Sequence, residues 1–269
     1  MGQIILSTYQ KNRVAILRAV PWSFMVSRVM TGIAQIIFPY FIFRYFTRGN
    51  LNPEFYAYTG GADYMTYIVT GSALNVLAVA TLMNIGRALI TELREGTLEP
   101  LLLSPAPRSG YFLGCLLEQT ARALLEFGAV LILGAALGAK LDRLFTSSSL
   151  LAILLAICSF FCMGLALSSV MLYTRDTYLT QNTLFIAMNL VCGITCPVRY
   201  LPRWLQAVAQ IFPLTPAVTL FRNVTSGGQS LAQNTSLLLR VLLLSGAYLC
   251  VGIVSYRKLE RNLMESIFG

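Results

Sequence analysis

Residues 91–108 read TELREGTLEPLLLSPAPR and lie between two long apolar runs of the sequence. This charged segment holds three glutamates and two arginines. Carboxylates beside an anionic membrane surface are unfavourable, so a membrane protein gains little from concentrating them in a short connection unless a protein partner binds there. The charged segment is therefore predicted to be a docking site, and a solvated helix that rests on lipid headgroups is the alternative.

The charged segment has the spacing of a short amphipathic helix that lies parallel to the membrane. Glu92, Glu95 and Glu99 are three and four residues apart, so they are expected to share one face of that helix. Leu98 and Leu102 belong to another face. The prolines near the end of the segment are expected to end the helix.

The composition is that of a membrane protein. Of 269 residues, 56% are hydrophobic and 12% are charged, whereas a soluble domain carries about 25% charged residues. The net charge is +9, but the basic residues stand at the ends of apolar runs, where anionic lipid headgroups anchor them. Membrane lipid is therefore the expected partner of these cations, and nucleic acid is not, because the sequence has no basic stripe or recognition motif.

The apolar runs predict six membrane-spanning helices after an N-terminal helix at residues 1–20 that lies on the membrane surface. The predicted spans are residues 22–46, 67–90, 111–139, 148–173, 182–196 and 237–256. The fifth span has 15 residues, which is about 22 Å of helix against the roughly 30 Å of a hydrocarbon core. The stretch that follows, residues 197–223, is apolar but interrupted by Pro202, Pro213 and Pro216. It is predicted to be a helical hairpin that enters the membrane and returns.

The basic residues also predict the orientation of the chain. Six spans put both termini on one side, where eleven lysines and arginines fall, while eight fall on the other side and Arg122 lies within a span. Because cytoplasmic loops carry the excess of positive charge, both termini are expected in the cytoplasm, in a multi-pass protein of the cell membrane.

Two stretches of the sequence resemble the ABC-2-type transporter permeases. The run GTLEPLLLSPAPR at residues 96–108 resembles the first cytoplasmic loop of that family, and LPRWLQAVAQIFPLTPAVTLFR at residues 201–222 resembles its closing signature. The resemblance covers nearly the whole chain and implies a single all-α integral membrane domain over residues 1–269. It implies six transmembrane helices with an N-terminal interfacial helix, a cytoplasmic coupling helix within residues 91–108, and a re-entrant helical hairpin at residues 197–223 before the last helix.

The resemblance also implies a function, that of the permease subunit of an ATP-driven exporter. The cargo would be amphipathic or hydrophobic, such as a drug, an antibiotic, a lipid or a lipid-linked glycan. A separate ATP-binding-cassette ATPase subunit would supply the energy, and a second permease copy or a paralogue would complete a homo- or heterodimer. The residues implied in ATPase coupling are Glu92, Arg94, Glu95, Gly96, Thr97, Leu98, Glu99 and Leu102, with Arg175 and Asp176 as a smaller second contact.

The chain is not expected to be an enzyme. It lacks the G-x-x-x-x-G-K-[ST] loop that cradles nucleotide phosphates, so ATP and Mg²⁺ are expected on the partner subunit and no cofactor is expected in this chain. It has no histidine, which excludes histidine zinc sites and Ser-His-Asp triads, and no metal-ligating or catalytic residue is predicted. The six cysteines all lie in apolar runs and are interpreted as small packing residues.

Glu118, Arg122 and Glu126 are spaced to form an intramembrane polar strip on one face of the third predicted span. Ionisable groups at that depth are costly and are usually paired or functional. The strip is either an internal ion-paired contact that packs against a neighbouring helix, or a gate or a contact in the cytoplasmic vestibule. The alternative function, a passive channel or an ion-coupled carrier, would need polar residues near mid-membrane in several spans, and only the third span offers them.

Overall fold

The computed structural model describes residues 2–19, 22–46, 48, 53–59, 63–104, 108–174 and 177–268. All regular elements within these residues are helical. The α-helices are α1 Gly2–Ala19, α2 Trp22–Phe41, α3 Pro53–Thr59, α4 Tyr64–Leu82, α5 Asn84–Arg94, α6 Leu98–Leu103, α7 Arg108–Ala136, α8 Ser147–Thr174, α9 Thr177–Val191, α10 Arg203–Ala209, α11 Leu214–Thr225 and α12 Thr235–Phe268. The shorter helical turns are Ile42–Phe46, Val198–Tyr200 and Leu231–Asn234.

Three stretches of the described helices are long and apolar enough to cross a membrane, and they are Tyr64–Arg94, Ser147–Thr174 and Leu231–Lys258. They coincide with the second, fourth and sixth predicted spans. The pair of helices α10 and α11 meets at 84° and counts as a fourth candidate if the pair is one broken span. The structure therefore confirms an all-helical membrane protein, while the full set of six spans stays a prediction.

Helix α4 lies at the centre of the bundle. Every residue from Met65 to Leu82 is buried, and the helix has no distinct polar face that could be turned towards solvent. A helix that is apolar all round needs neighbours on every side, and the small residues of α4, such as Gly71 and Ala78, let those neighbours approach closely. In contrast, only 11% of the most apolar 18-residue stretch within Leu231–Lys258 is buried. α12, which provides most of this range, therefore lies at the periphery of the bundle.

Glycine contacts define the relative directions of α4 and α7. Gly134 of α7 lies against Val69 of α4, and Gly32 of α2 lies against both Val76 and Val130. Position numbers therefore rise along α4 while they fall along α7, so the two helices are antiparallel. This is the relation expected of two successive membrane crossings.

The same argument applies to α8. Gly164 of α8 lies against the backbone of Leu82, and Met171 lies against Gly86 in α5. Position numbers rise together along both elements, so α8 runs parallel to α4 and α5. Helices α4, α7 and α8 therefore alternate in direction, as three consecutive crossings must.

The close approach at Gly164 generates a first prediction. A Cβ at this position would lie 2.9 Å from the carbonyl oxygen of Leu82, and that backbone cannot move without shifting α4. Gly164→Ala is expected to destabilise the protein by about 1–3 kcal/mol through overpacking. The measurement is the thermal unfolding midpoint of the purified protein in detergent.

Gly128→Ala is the matched control, because nothing lies within 4 Å of a Cβ at that helical position. It should leave the unfolding midpoint unchanged or raise it, since alanine is favoured over glycine in a helix by up to about 1 kcal/mol. Equal midpoints for the two variants would contradict the packing of α8 on α4.

Candidate functional site

The charged segment folds as a turn between two helices. α5 ends at Arg94, and Gly96 then adopts a left-handed backbone with a φ of 70°. The amide of Thr97 donates to the carbonyl of Glu92 (2.9 Å), and the amide of Gly96 donates to the carbonyl of Leu93 (3.3 Å). These two bonds form a Schellman motif, in which glycine accommodates the positive φ without a steric clash.

The prediction that Glu92, Glu95 and Glu99 share one helical face is wrong. α5 ends before Glu95 and α6 begins after Gly96, so the first and last of these glutamates belong to different helices. The physical reason is the left-handed turn at Gly96, which interrupts the 3.6-residue period on which the prediction rested.

The Glu92 carboxylate is the centre of the turn and is buried, with 6% of its side chain exposed. Lys11 Nζ of α1 lies 2.5 Å from its Oε1. The hydroxyl of Thr97 donates to Oε2, and the hydroxyl of Tyr111 in α7 lies 3.4 Å from Oε1. A buried carboxylate must be compensated by such partners, and here the partners tie α1, the α5–α6 turn and α7 together.

Helix α1 packs along the first turns of α7, next to the Glu92 carboxylate. Thr8 and the carbonyl of Ile5 lie against Gly114, where a larger residue would clash. Asn12 Nδ2 donates to Cys115 Sγ (3.2 Å), and Cys115 is fully buried. The role of Lys11 was not predicted from the sequence, where the basic residues of this helix fit lipid anchors, because no local pattern links Lys11 to a partner 81 positions away.

The outer surface of the α5–α6 turn is charged. Its exposed residues include Arg94, Glu95, Gly96 and Thr97, while Leu98 is buried. Four other residues implied in ATPase coupling lie outside the described residues, either wholly or in their side chains, namely Arg175, Asp176, Glu99 and Leu102. The α5–α6 turn therefore has a buried side, centred on Glu92, and an exposed side formed by residues 94–97.

The Lys11–Glu92 pair generates a second prediction. Lys11→Met removes the cation that holds α1 at the turn, so α1 should detach more often and uncover Cys115. A weakening of about 1 kcal/mol corresponds to a roughly fivefold rise in the opened fraction. The measurement is the rate of maleimide labelling in a variant that has Cys115 as its only cysteine.

Arg13→Met is the control for this experiment. Arg13 is an exposed cation of the same helix, and no ion pair joins it to another described residue. Its loss should leave the labelling rate unchanged. Similar rates for Lys11→Met, Arg13→Met and the parent would show that the pair does not hold α1.

At one end of the polar strip of α7, Arg122 forms a salt bridge with Glu118 of the same helix. Arg122 Nε lies 2.7 Å from Glu118 Oε1, and Arg122 Nη2 donates to Glu118 Oε2 (2.9 Å) and to Gln119 Oε1 (2.5 Å). Glu118 and Glu126 are both buried. The first pair is thus a side-on salt bridge within one helix, which neutralises two charges at low exposure.

A second cluster, which was not predicted from the sequence, surrounds Arg222 of α11. Its guanidinium donates to the carbonyls of Tyr67 (2.7 Å), Gly193 (2.8 Å) and Ile194 (3.0 Å), and Nε lies 3.4 Å from the hydroxyl of Thr70. Gly193 has a φ of 76°, and both it and Ile194 belong to the irregular backbone that follows α9. Arg222 therefore supplies donors to the carbonyls of Gly193 and Ile194, which lie outside any helix, and anchors them to the Tyr67 carbonyl of α4.

The Arg222 cluster depends on close packing. The guanidinium carbon lies 3.4 Å from the centroid of the Tyr67 ring, and the Tyr67 hydroxyl donates to the carbonyl of Gly193 (2.8 Å). Gly71 provides the space, because a Cβ there would collide with the guanidinium. A sequence signal did exist, since Arg222 is an isolated charge in an apolar run, but its partners are backbone atoms that a sequence does not reveal.

The Arg222 cluster generates a third prediction. Arg222→Lys keeps the charge but loses the planar fork, so a single ammonium cannot reach all three carbonyls. The cost is expected to be about 2 kcal/mol, and it should appear as a lower thermal unfolding midpoint in detergent. Arg203→Lys is the control, because Arg203 is exposed and has no hydrogen bond or ion pair to another described residue. A drop of the same size in both variants would contradict the special role of Arg222.

Among the residues that the structure describes, no group of three or more histidine, cysteine, aspartate or glutamate side chains converges. The two clusters of interest are an exposed charged turn over the buried Glu92 carboxylate and an irregular backbone stretch bound by Arg222.

The family model described as ABC-2 type transporter matches residues 10–225. The matched region runs from within α1 to the end of α11, so it includes the α5–α6 turn, the α7 strip and the Arg222 cluster. No curated protein matches the chain.

Proposed function

Since this chain belongs to the ABC-2 type transporter family, the membrane component of ATP-binding-cassette transporters, we propose that it is the permease subunit of an exporter driven by a separate ATPase subunit. The ATPase binds ATP and Mg²⁺, and this chain performs no chemistry of its own. The observation that supports this proposal most is the α5–α6 turn, which is exposed and charged on one side. On its buried side, Glu92 contacts Lys11 and Tyr111 of neighbouring helices.

The exposed surface of the turn suits a protein partner. Arg94 and Glu95 provide charges of both signs, and Leu103 of α6 adds an apolar side chain that is 54% exposed. An apolar patch with charged residues around it is the usual composition of a protein interface. We therefore assign α6 and the preceding turn as the coupling helix that enters a cleft of the ATPase.

The connection from the turn to the core suits the transmission of movement. α5 begins directly after α4, with a single residue, Met83, between them. α4 in turn packs against α2, α7, α8 and α11. A push on α6 from ATP-driven closure of the partner would therefore pass through the Gly96 turn to α5, and from α5 to α4 and the helices packed around it.

Contacts at the two ends of residues 197–223 support a re-entrant hairpin over a broken span. At the start, the Tyr200 ring lies 5.5 Å from the ring of Tyr58 in α3. At the end, Asn223 Nδ2 donates to Asn234 Oδ1 (2.7 Å), next to the start of α12. Both contacts lie at the end of the bundle where α4 and α12 begin, so the chain enters and leaves at the same side.

The remaining spans and the orientation complete the proposed topology. α2, α7 and α9 are the further membrane crossings, with α1 on the cytoplasmic surface. Both termini are then cytoplasmic in a cell-membrane protein, and the chain forms one domain from end to end. The alternating directions of α4, α7 and α8 support this arrangement.

A second permease copy or a paralogue is proposed to complete the transport path. The end of α2 and the helical turn Ile42–Phe46 that follows it carry exposed aromatic side chains, with Phe38 70% and Tyr45 68% exposed, and the rings of Phe41 and Tyr45 stack at 5.6 Å. This surface suits either lipid or a second copy. The proposed cargo is an amphipathic or hydrophobic molecule that leaves where two copies meet.

Co-purification from native membranes is the fourth prediction and the test of the proposed function. The chain should co-purify in mild detergent with a soluble ATPase in fixed stoichiometry. Arg94→Glu combined with Glu95→Lys reverses two exposed charges without changing the net charge, so it should reduce the bound ATPase at least tenfold and leave the folded yield unchanged.

The matched control is Lys140→Glu combined with Asp142→Lys, a similar reversal of two exposed charges at the opposite end of α7. It should leave ATPase binding intact. A folded chain that purifies without any ATPase would favour the passive channel or ion-coupled carrier. In that case Glu118 and Glu126 would be the next residues to test.

A further inference from the structure

Two polar side chains in the middle of α4 differ from the other polar side chains of that helix. The buried hydroxyls of Thr70 and Thr81 each donate to a backbone carbonyl four residues earlier (2.6 and 2.7 Å). Ser72 and Asn75 are both 0% exposed, yet the Ser72 hydroxyl and both polar atoms of the Asn75 amide make no hydrogen bond with another described residue. A buried polar group without a partner is unfavourable, so these two side chains indicate a bound polar molecule.

Gln35 of α2 is in the same condition. Its Oε1 and Nε2 are buried, and neither atom has a hydrogen-bond partner among the described residues. Apart from the turn that continues it, α2 packs mainly against α4 and α7. The buried Gln35 amide therefore belongs to the interior of the bundle, next to these two helices.

Two contacts define the register of α2 against α4. A Cβ at Gly32 would lie 3.4 Å from Val76 Cγ2, and the rings of Phe43 and Tyr64 lie 4.8 Å apart. Position numbers rise along α2 and its continuing turn while they fall along α4, so the two elements are antiparallel. The contacts are 11 residues apart on the first element and 12 on the second, so the register is nearly constant between them.

This register brings the three unpaired side chains to one level of the bundle. Gln35 comes three residues after Gly32, and Ser72 comes four residues before Val76, so each lies one turn from that contact on the face that makes it. Because the helices are antiparallel, both steps lead in the same direction. Asn75 comes three residues after Ser72 and shares its face of α4. We call these three side chains the amide site.

The surroundings of the amide site favour a neutral ligand. α7 is the third helix here, because a Cβ at Gly32 would also lie 2.9 Å from Val130 Cγ2. α2 and α7 are both antiparallel to α4, so they are parallel to each other. Gln35 lies one turn beyond Gly32, whereas Glu126 lies one turn before Val130, so the Glu126 position is about 10 Å from the Gln35 level along the bundle.

We propose that Gln35, Ser72 and Asn75 bind ordered water between α2 and α4. Two amides and a hydroxyl offer donors as well as acceptors and carry no charge, which suits water better than a cation. A buried water usually makes about three hydrogen bonds, as many as there are side chains in the amide site. This water site is neither the ATPase contact nor the cargo site, so the inference goes beyond the proposed function and does not depend on it.

A double-variant cycle tests the proposal on the full-length protein in detergent. Gln35→Met and Asn75→Leu each replace an amide by an apolar side chain and displace the water, which leaves the other amide without a partner. Each single variant should therefore lower the thermal unfolding midpoint by about 3–6 °C. The double variant removes both amides, so it should regain most of that loss. If the two substitutions merely overpacked the bundle, their losses would add.

Ser72→Ala provides a second test that adds no volume to the bundle, so it decides the matter even if the larger substitutions fail to fold. The water loses one of its three partners, and the unfolding midpoint should fall by about 1–3 °C. In a dry site the same change would remove an unpaired hydroxyl, and the midpoint would stay constant or rise. That result would overturn the proposal.

Thr81→Val is the matched control, because the buried Thr81 hydroxyl already has its partner within α4. Its effect on the midpoint should simply add to that of Gln35→Met. The proposal fails if the single amide variants stabilise the protein, if the losses of Gln35→Met and Asn75→Leu add in the double variant, or if Thr81→Val couples to Gln35→Met as strongly as Asn75→Leu does.

Replacing sodium chloride by choline chloride separates water from a bound cation. The midpoint of the parent protein should be the same in both salts, since water needs no ion. A higher midpoint in sodium chloride that Asn75→Leu abolishes would identify a sodium site and overturn the proposal.

Discussion

The guanidinium of Arg222 supplies the hydrogen-bond donors that let the chain leave helical geometry inside an apolar bundle. Within a membrane every backbone carbonyl must be satisfied by the protein itself, and a helix does this automatically. The irregular stretch at Gly193 and Ile194 cannot. Arg222 reaches both of their carbonyls and that of Tyr67, so it joins the end of α9, the start of α4 and the second helix of the hairpin. The arrangement of α9, α10 and α11 depends on this contact.

The opposite end of the bundle uses the same principle with the charges reversed. There the buried group is the Glu92 carboxylate, and Lys11, Thr97 and Tyr111 compensate it. In both clusters one ionised side chain joins three separate elements, and in both a glycine permits the approach, Gly96 at the turn and Gly71 beside the arginine. Between them lies α4, which is buried along its whole length.

Features that depend on a local sequence pattern, such as the helices, could be predicted from the sequence. Contacts between residues far apart in the sequence could not. The length of each apolar run indicated the helices that became α4, α7, α8 and α12, and the prolines marked the two short helices, α10 and α11, that meet at 84°. The Glu118–Arg122 pair followed from helical spacing alone. Helical spacing failed for Glu92, because the turn at Gly96 ends the helix. Helical spacing also cannot predict the pairing of Glu92 with Lys11, or of Arg222 with backbone carbonyls, because these contacts form only when the helices pack.

The length of α12 has a mechanical consequence. Its 34 residues span about 51 Å, well beyond the roughly 30 Å of a hydrocarbon core. Arg257, Lys258 and Arg261 lie towards its C-terminal end, while Arg240 donates to Gln210 and Tyr248 donates to the carbonyl of Ile211 in the turn between α10 and α11. α12 therefore fixes the distance between its basic end and that turn. With the basic end held at anionic headgroups, we expect a change in bilayer thickness to alter the distance from the turn to the opposite headgroups.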